Sequence, residues 1–133
     1  MKVKVTPSKV HGNVKIPASK SMAHRALICA SLSDGTSIVS NVTNSKDIEA
    51  TVGCMKALGA IIKQIDETTY EVTGTNLFKQ EGNITCNANE SGSTLRFLIP
   101  LAACTNAKVK FLGQGRLLQR PMDVYENEFK KQN

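Results

Sequence analysis

The sequence predicts a mixed α/β (α+β) fold built from a repeated unit of helix, strand, helix and hairpin. Short runs of alternating apolar and polar residues, typical of strands, separate stretches in which apolar residues recur at helical spacing. Two apolar helical stretches open with small hydroxylated residues and carry an Arg in the second turn, at Arg25 and Arg96. Each is followed by a strand pattern and then by another helix, which is the order expected of an internal repeat.

The first unit follows an alternating N-terminal stretch. Residues 2–6 and 10–16 alternate charged and apolar side chains, which predicts two short strands. A helix with Ser19 in its first turn comes next, and residues 34–35 end it. Because the apolar residues of this helix lie nearly all round, we expect it to be buried, with only its charged first turn in solvent.

A strand, an outer helix and a hairpin complete the first unit. Residues 36–40 predict the strand. The helix after it has Ser45 as its N-cap and one polar side, which places it on the outside of the domain. Residues 60–65 and 69–72 predict a hairpin, and a short strand is expected at residues 84–87.

A second copy of the unit begins at residue 91. Residues 91–103 predict a buried helix, residues 107–112 a strand, and Arg120-Pro121 opens an outer helix with Pro in its first turn. The copies are offset by 71 residues at their arginines and by 76 at the aspartates of their outer helices. Since no hairpin follows, we expect a truncated second unit, and a chain that is a piece of something larger.

The start of the first helix is a candidate anion site. A helix N-terminus leaves backbone N–H groups unpaired and carries about half a positive charge. Lys20 adds a full charge, Ser21 a hydroxyl, and Arg25, one turn along, a planar fork suited to phosphate or carboxylate. On these residues alone, a core helix whose charged first turn is simply solvated is an equally good interpretation. We expect Lys46 and Asp47, in the first turn of the outer helix, to be solvated; the alternative is that either leans into a nearby cleft.

Composition limits the classes of function. The 133 residues carry 17 basic and 11 acidic side chains, a formal charge of +6, which favours an anionic partner. No more than two basic residues are consecutive and there is no Trp, so a nucleic-acid partner is not expected. Two histidines are too few for a zinc site and no apolar run spans a bilayer. We therefore expect no metal, no membrane partner and a cytoplasmic location.

The cysteines predict no disulfide or metal site. They are widely spaced, form no CxxC pair and lie in apolar surroundings, at Cys29, Cys54, Cys86 and Cys104. We expect all four to be buried, reduced thiols.

Three motifs carry a resemblance to a known family. They are Pro17-Ala-Ser-Lys-Ser-Met-Ala-His-Arg-Ala-Leu27, Ser91-Gly-Ser-Thr-Leu-Arg96 and Gly113-Gln-Gly-Arg-Leu-Leu-Gln-Arg-Pro-Met122. With them the chain resembles, over essentially every residue, the N-terminal third of the 5-enolpyruvylshikimate-3-phosphate synthases (3-phosphoshikimate 1-carboxyvinyltransferases), which are enolpyruvyl transferases. The resemblance implies two similar domains, each of three βαβαββ units with buried helices, which close on substrates between them.

The resemblance also implies a domain arrangement. Residues 1–18 would be N-terminal strands that join the other domain of the full-length enzyme, and residues 19–133 part of the N-terminal globular domain. Unit one would cover about residues 19–87 and the truncated unit two about residues 88–133. The acid and base residues of the family lie beyond residue 133, so we expect no catalytic residue here and an inactive isolated chain. The full-length enzyme is expected to be a monomer without a cofactor.

Substrate roles follow from the same resemblance. Lys20 would contact both phosphoenolpyruvate and shikimate 3-phosphate, and Ser21 and Arg25 would hold shikimate 3-phosphate. Gly92 and Arg120 would hold phosphoenolpyruvate. The family acts in the shikimate pathway, in chorismate and aromatic amino acid biosynthesis, and its phosphoenolpyruvate pocket is the target of glyphosate.

Ser93 and Arg96 are further candidates for this site, and two nearby residues are unusual. Glu90 stands where the family commonly has Asn, so its carboxylate should point away from bound anions or pair with a cation. Pro100 lies inside a predicted helix, where it removes the hydrogen bond to the Arg96 carbonyl and should kink the helix.

Two other functions stay open on the sequence. One is the related enzyme that transfers enolpyruvyl to UDP-N-acetylglucosamine, which has a Lys-Asn pair where this chain has Lys20 and Ser21. Ser21, Arg25 and the motif at residues 91–96 favour the shikimate enzyme instead. The other is an anion-binding module without chemistry.

Overall fold

The computed structural model describes residues 2–132, which form two small sheets packed with helices. The α-helices are α1 (Lys20–Leu32), α2 (Lys46–Ala57), α3 (Gly92–Ala102) and α4 (Asp123–Lys131). The strands are β1 (Thr36–Val39), β2 (Ile61–Gln64), β3 (Tyr70–Thr73), β4 (Asn83–Asn87) and β5 (Lys108–Leu112). Two 3-10 helices cover Leu77–Lys79 and Gly115–Gln119.

The first unit carries an antiparallel sheet in the order β1-β3-β2. β2 and β3 form the predicted hairpin, with Ile62 opposite Val72, and β1 pairs with the other edge of β3. Ile62, Tyr70 and Val72 are buried, because alternate residues of a strand face the same side. The strand, outer helix and hairpin predicted for this unit are confirmed.

A parallel pair joins β4, at the end of the first predicted unit, to β5 of the second. β4 and β5 pair in parallel with α3 as the connection between them, and Cys86 lies opposite Phe111. α2 packs against β4 and α3, so the two units share one core. The predicted order of helix, strand and helix in the second unit is confirmed.

Serine caps set the starts of the three core helices. Ser19, Ser45 and Ser91 each accept a hydrogen bond from the backbone amide three residues on, which satisfies one unpaired N–H of the first turn. The core between these helices and the antiparallel sheet contains fully buried Leu27, Ile48, Met55, Leu58, Val72 and Leu98.

The prediction of two strands before α1 is wrong for this structure. Residues 2–19 contain no strand, and Val5, Val10 and Ile16 are each more than 80% exposed. A strand is stable only when a neighbour supplies its ladder hydrogen bonds, and no other part of residues 2–132 pairs with this stretch. That these residues join a second domain stays a prediction.

More of α1 is exposed to solvent than its composition predicted. Ala23, Leu27 and Ala30 face the core, where α1 packs on α2, α3, β1 and β3. On the other side Met22 is 63% exposed and Cys29 is exposed as well. The expectation that only the first turn reaches solvent is therefore wrong for that side, which residues 2–132 leave uncovered.

Two of the four cysteines are buried. Cys54 and Cys86 lie in the core as expected, whereas Cys29 and Cys104 are exposed, so for these two the prediction is wrong. Cys29 lies on the open side of α1 and Cys104 in the turn after α3. All four are free thiols.

The last helix starts later than predicted. Arg120 and Pro121 precede α4, which begins at Asp123. The residue before a proline is disfavoured in helical conformation, and Arg120 accordingly has φ −76° and ψ 136°, an extended conformation. It follows the second 3-10 helix, which the sequence did not predict and which buried Leu117 anchors.

Candidate functional site

The N-terminus of α1 presents its first cation to solvent. Ser19 accepts a hydrogen bond from the Met22 amide at 3.3 Å and so caps the helix. Lys20 is the first helical residue, and its side chain is 53% exposed. The ammonium therefore lies where the positive end of the helix dipole adds to its own charge.

Arg25 is held one turn further along the same helix. Its guanidinium donates to the Ser21 carbonyl at 2.8 Å and lies 4.8 Å from the centre of the Phe97 ring on α3. Neither contact neutralises the charge, and the ring fixes the plane of the fork. Arg25 makes no ion pair within residues 2–132, so its charge is available to an anion.

Lys20 is paired with Asp47 of α2. Their Nζ and Oδ2 atoms lie 2.5 Å apart, and the Asp47 side chain is 32% exposed. Asp47 thus leans toward Lys20, so the expectation that it is simply solvated is wrong and the alternative considered for it holds. The position of Asp47 in the first turn after the Ser45 cap could be recognised in the sequence, but its ion pair with Lys20 was not predicted.

Gly92 and Arg120 are brought together from two separate motifs. The guanidinium of Arg120 lies against the α-carbon of Gly92, the first residue of α3. A Cβ added at Gly92 would lie 3.1 Å from Arg120 Cζ and closer still to Nη1. The Arg120 guanidinium therefore lies over the N-terminus of α3. It can approach this closely because Gly92 has no side chain.

Asp47 contacts both the start of α1 and the start of α3. Its carboxylate pairs with Lys20, and its backbone carbonyl lies 3.3 Å from the Thr94 hydroxyl in the first turn of α3. The positive ends of α1, α2 and α3 thus converge on one region, which we call the anion site: Lys20, Ser21, Arg25, Gly92 and Arg120. Converging helix N-termini and cations favour ligands with phosphate or carboxylate groups.

Ser93 and Arg96 are the two further candidates for substrate binding. Both are exposed on the first two turns of α3. Among residues 2–132 the side chain of Arg96 makes no ion pair or hydrogen bond, and only its carbonyl is used, by Tyr125. Their substrate roles stay predictions.

Glu90 turns toward the second 3-10 helix. A Cβ added at Gly115 would collide with its carboxylate, so the two residues are in contact. No ion pair within residues 2–132 includes Glu90. The carboxylate lines a cavity of about 570 Å³ together with Lys46, Asp47, Glu49, Asn89 and Gln114.

His24 is buried behind the site. It is 1% exposed, and burial lowers the pKa of its imidazole below the ordinary value. Asp47 opposes this shift, while the charges of Lys20 and Arg25 add to it. The imidazole is therefore neutral at physiological pH, and the charge of the site comes from Lys20, Arg25 and Arg120.

Residues 2–132 contain no group of three or more His, Cys, Asp or Glu side chains placed to hold a metal ion. The helices in this part of the chain are too short or too polar to cross a membrane.

Comparisons with known proteins agree over almost the whole chain. The family model described as EPSP synthase (3-phosphoshikimate 1-carboxyvinyltransferase) matches residues 4–132. A 3-phosphoshikimate 1-carboxyvinyltransferase of Clostridium perfringens is 50% identical over 131 residues, which are 98% of this chain and 31% of that protein. The protein of the same name in Clostridioides difficile is 46% identical over 142 residues, or 98% of this chain and 32% of its own length. The chain therefore spans about a third of these relatives.

Solved structures show the same fold. Two structures of EPSP synthase from Acinetobacter baumannii match with TM-scores of 0.73 and 0.78, at 20% and 19% sequence identity. The matches cover 87% and 90% of this chain and 27% of each of those chains. The mixed fold with its small sheets is thus the enolpyruvyl-transferase fold, as the sequence predicted.

Proposed function

Because this chain belongs to the EPSP synthase family, we propose that it forms one wall of the substrate site of a 3-phosphoshikimate 1-carboxyvinyltransferase. Such an enzyme transfers the enolpyruvyl group of phosphoenolpyruvate to the 5-hydroxyl of shikimate 3-phosphate and releases phosphate. The observation that carries the proposal is the anion site, where three helix N-termini meet Lys20, Arg25 and Arg120. Both substrates carry a phosphate and a carboxylate, which are the groups that this site favours.

We assign the substrates to two sides of the site. Lys20, Ser21 and Arg25 hold shikimate 3-phosphate, with Lys20 also reaching phosphoenolpyruvate. Gly92 and Arg120 hold phosphoenolpyruvate. The contact of Arg120 with Gly92 supports this division, because the backbone of α3 and a guanidinium then offer adjacent donors to one anionic group.

The contribution of this wall is positioning and charge. In the reaction the 5-hydroxyl oxygen adds to C2 of phosphoenolpyruvate, C3 gains a proton, and the tetrahedral adduct loses phosphate. The cations described above hold two anions close together against their mutual repulsion and balance charge on the departing phosphate. Without the residues that transfer protons, the 133-residue polypeptide binds ligand and does not turn over.

The proposal includes the surroundings of the site. Residues 2–18 join a second domain, which is supported by apolar side chains left in solvent, such as Val10 at 95% exposure and Val14 at 86%. The enzyme acts in the cytoplasm as a monomer.

Titration followed by NMR tests the proposal. Shikimate 3-phosphate should move the amide resonances of Lys20, Ser21 and Arg25 at lower concentration than inorganic phosphate does, and UDP-N-acetylglucosamine should move them least. Lys20→Ala should weaken shikimate 3-phosphate, whereas the matched variant Lys79→Ala, on the first 3-10 helix, should not. Binding that moves residues around Lys79 or Lys130 and leaves the three site residues unchanged would contradict the assignment. Equal responses to all three ligands would favour a plain anion-binding module.

A further inference from the structure

Four buried polar side chains form one hydrogen-bonded chain through three helices. His24 Nδ1 of α1 lies 2.7 Å from Thr51 Oγ1 of α2, which lies 2.7 Å from Thr94 Oγ1 of α3. The Thr94 hydroxyl donates to Ser91 Oγ, again at 2.7 Å. All four residues are at most 2% exposed. Buried polar groups destabilise a core unless they are bonded, and successive hydrogen bonds along such a chain hold its members in one arrangement.

The hydrogens of this chain can be assigned in order. A hydroxyl has one hydrogen, and Ser91 Oγ and Thr94 Oγ1, both at 2.7 Å, are closer acceptors for Thr94 and Thr51 than the Asp47 carbonyl at 3.3 Å. Thr94 therefore donates to Ser91 and accepts from Thr51. Thr51 then accepts from His24, whose Nδ1 must carry the ring hydrogen. The other ring nitrogen, Nε2, is buried and has no hydrogen-bond partner within residues 2–132. A hydrogen on Nε2 would be a buried donor without an acceptor, which the fold disfavours.

Each member of the chain lies within one helical turn of the anion site. His24 precedes Arg25 and follows Lys20 by four residues. Thr51 lies one turn after Asp47, whose carbonyl is 3.3 Å from both threonine hydroxyls. At the far end Ser91 caps α3 directly before Gly92.

We propose that His24 is a positioning residue, and that its chain through Thr51 and Thr94 to Ser91 sets the spacing between the cations of α1 and the N-terminus of α3. The inference deepens the proposed function and rests on it for the identity of the ligand. A hydroxyl chain suits this role because 2.7 Å hydrogen bonds are directional, whereas apolar contacts between helices permit sliding. The chain thus holds the two sides of the site in register before a ligand arrives.

The ligand-free 133-residue protein tests the chain itself. NMR of the imidazole nitrogens should show hydrogen on Nδ1 of His24 and none on Nε2; hydrogen on Nε2 would overturn the assigned direction. Thr51→Val keeps the side-chain volume and removes the hydroxyl, and should shift the amide resonances of Lys20 and Gly92. Thr51→Ser keeps the hydroxyl and should restore them. Thr94→Val breaks the chain independently and covers the case in which Thr51→Val does not fold.

Titration with shikimate 3-phosphate tests the consequence for binding. Thr51→Val and Thr94→Val should weaken binding by about 3- to 10-fold, the range of one lost hydrogen bond, and Thr51→Ser should bind like the wild type. The matched control is Thr36→Val, which breaks the Thr36–Thr73 hydroxyl pair (2.9 Å) at the exposed edge between β1 and β3. In the wild type the ligand should also move the His24 ring resonances, and in Thr51→Val it should not.

The outcomes separate the two proposals. If the wild type does not bind shikimate 3-phosphate but Thr51→Val still shifts Lys20 and Gly92, the proposed function fails and the positioning role stands. If the wild type binds at the predicted residues and the valine variants bind equally well with unshifted amides, the positioning role is overturned and the proposed function stands.

Discussion

The Tyr125 hydroxyl of α4 donates a hydrogen bond of 3.0 Å to the backbone carbonyl of Arg96 in α3. This carbonyl would otherwise lack a helical partner, because the residue four positions on is Pro100, which has no N–H. α4 buries no side chain completely, and this hydrogen bond joins its first turn to α3. Tyr125 of α4 thus supplies the hydrogen bond that Pro100 removes from α3.

Tyr125→Phe should lower the free energy of unfolding by about 0.5 to 1.5 kcal/mol, the range of one hydrogen bond at an exposed position where water can reach the carbonyl. Chemical denaturation measures it, and faster hydrogen exchange in α4 should accompany the loss. The matched control is Tyr70→Phe in β3, since the Tyr70 hydroxyl makes no hydrogen bond to another residue within 2–132. Equal losses in the two variants would show that the bond to Arg96 does not stabilise α4.

Burial of His24 makes stability depend on pH. Its folded pKa is lowered, chiefly by burial, so below about pH 6.5 the unfolded chain binds more protons than the folded one. The free energy of unfolding should therefore fall as the pH drops from about 7 through 6.5 toward the folded pKa. His24→Gln should flatten this part of the profile.

His11 supplies the control for that measurement. It lies in the exposed stretch before α1, so His11→Gln is the matched histidine substitution outside the core. Urea midpoints between pH 7.5 and 5.5 for the three proteins give the comparison. If His24→Gln kept the full decline, carboxylates rather than the buried imidazole would be its cause.

Asp47→Asn should strengthen the binding of inorganic phosphate by about 1.4- to fivefold. The carboxylate neutralises Lys20 in the free protein, and both partners are partly exposed, so the pair is worth about 0.2 to 1 kcal/mol. Isothermal titration at low ionic strength measures the gain, which should shrink as salt is added. Glu71→Gln, which removes the partner of Lys63 on the sheet, is the matched control. Weaker phosphate binding in Asp47→Asn would show that Asp47 orients Lys20 more than it competes for it.

Local signals predicted most of the fold and only part of the site. Ser45 and Ser91 were recognisable as caps because an N-cap acts on its own helix, and the hairpin was recognisable from alternation over a short turn. The pairing of Lys20 with Asp47 joins residues 27 positions apart, and no local pattern encodes it. The two strands expected before α1 are absent for a different reason. Alternation of apolar and polar residues indicates which faces a strand would have, but it does not identify the strand with which it would pair.

The contact between Gly92 and Arg120 leads to the last prediction. Glyphosate, the inhibitor of the family, is slightly longer than the phosphoenolpyruvate whose pocket it occupies. A methyl group at position 92 would lie 3.1 Å from Arg120 Cζ and collide with Nη1, so the far end of the Arg120 side chain must move. The exposed guanidinium can move without unfolding the protein, and the space left for an anion becomes shorter.

Gly92→Ala, made in a full-length enzyme that contains this segment, should therefore weaken glyphosate more than phosphoenolpyruvate. One excess methylene-sized group is worth about 10- to 200-fold in discrimination, and the inhibition constant should rise within that range while the KM for phosphoenolpyruvate rises less. Gly53→Ala is the matched control, because a Cβ at Gly53 in α2 meets no atom within 4 Å. Equal proportional losses for both ligands would mean that the pocket at Gly92 does not discriminate by length. They would also remove the main support for placing phosphoenolpyruvate between Gly92 and Arg120.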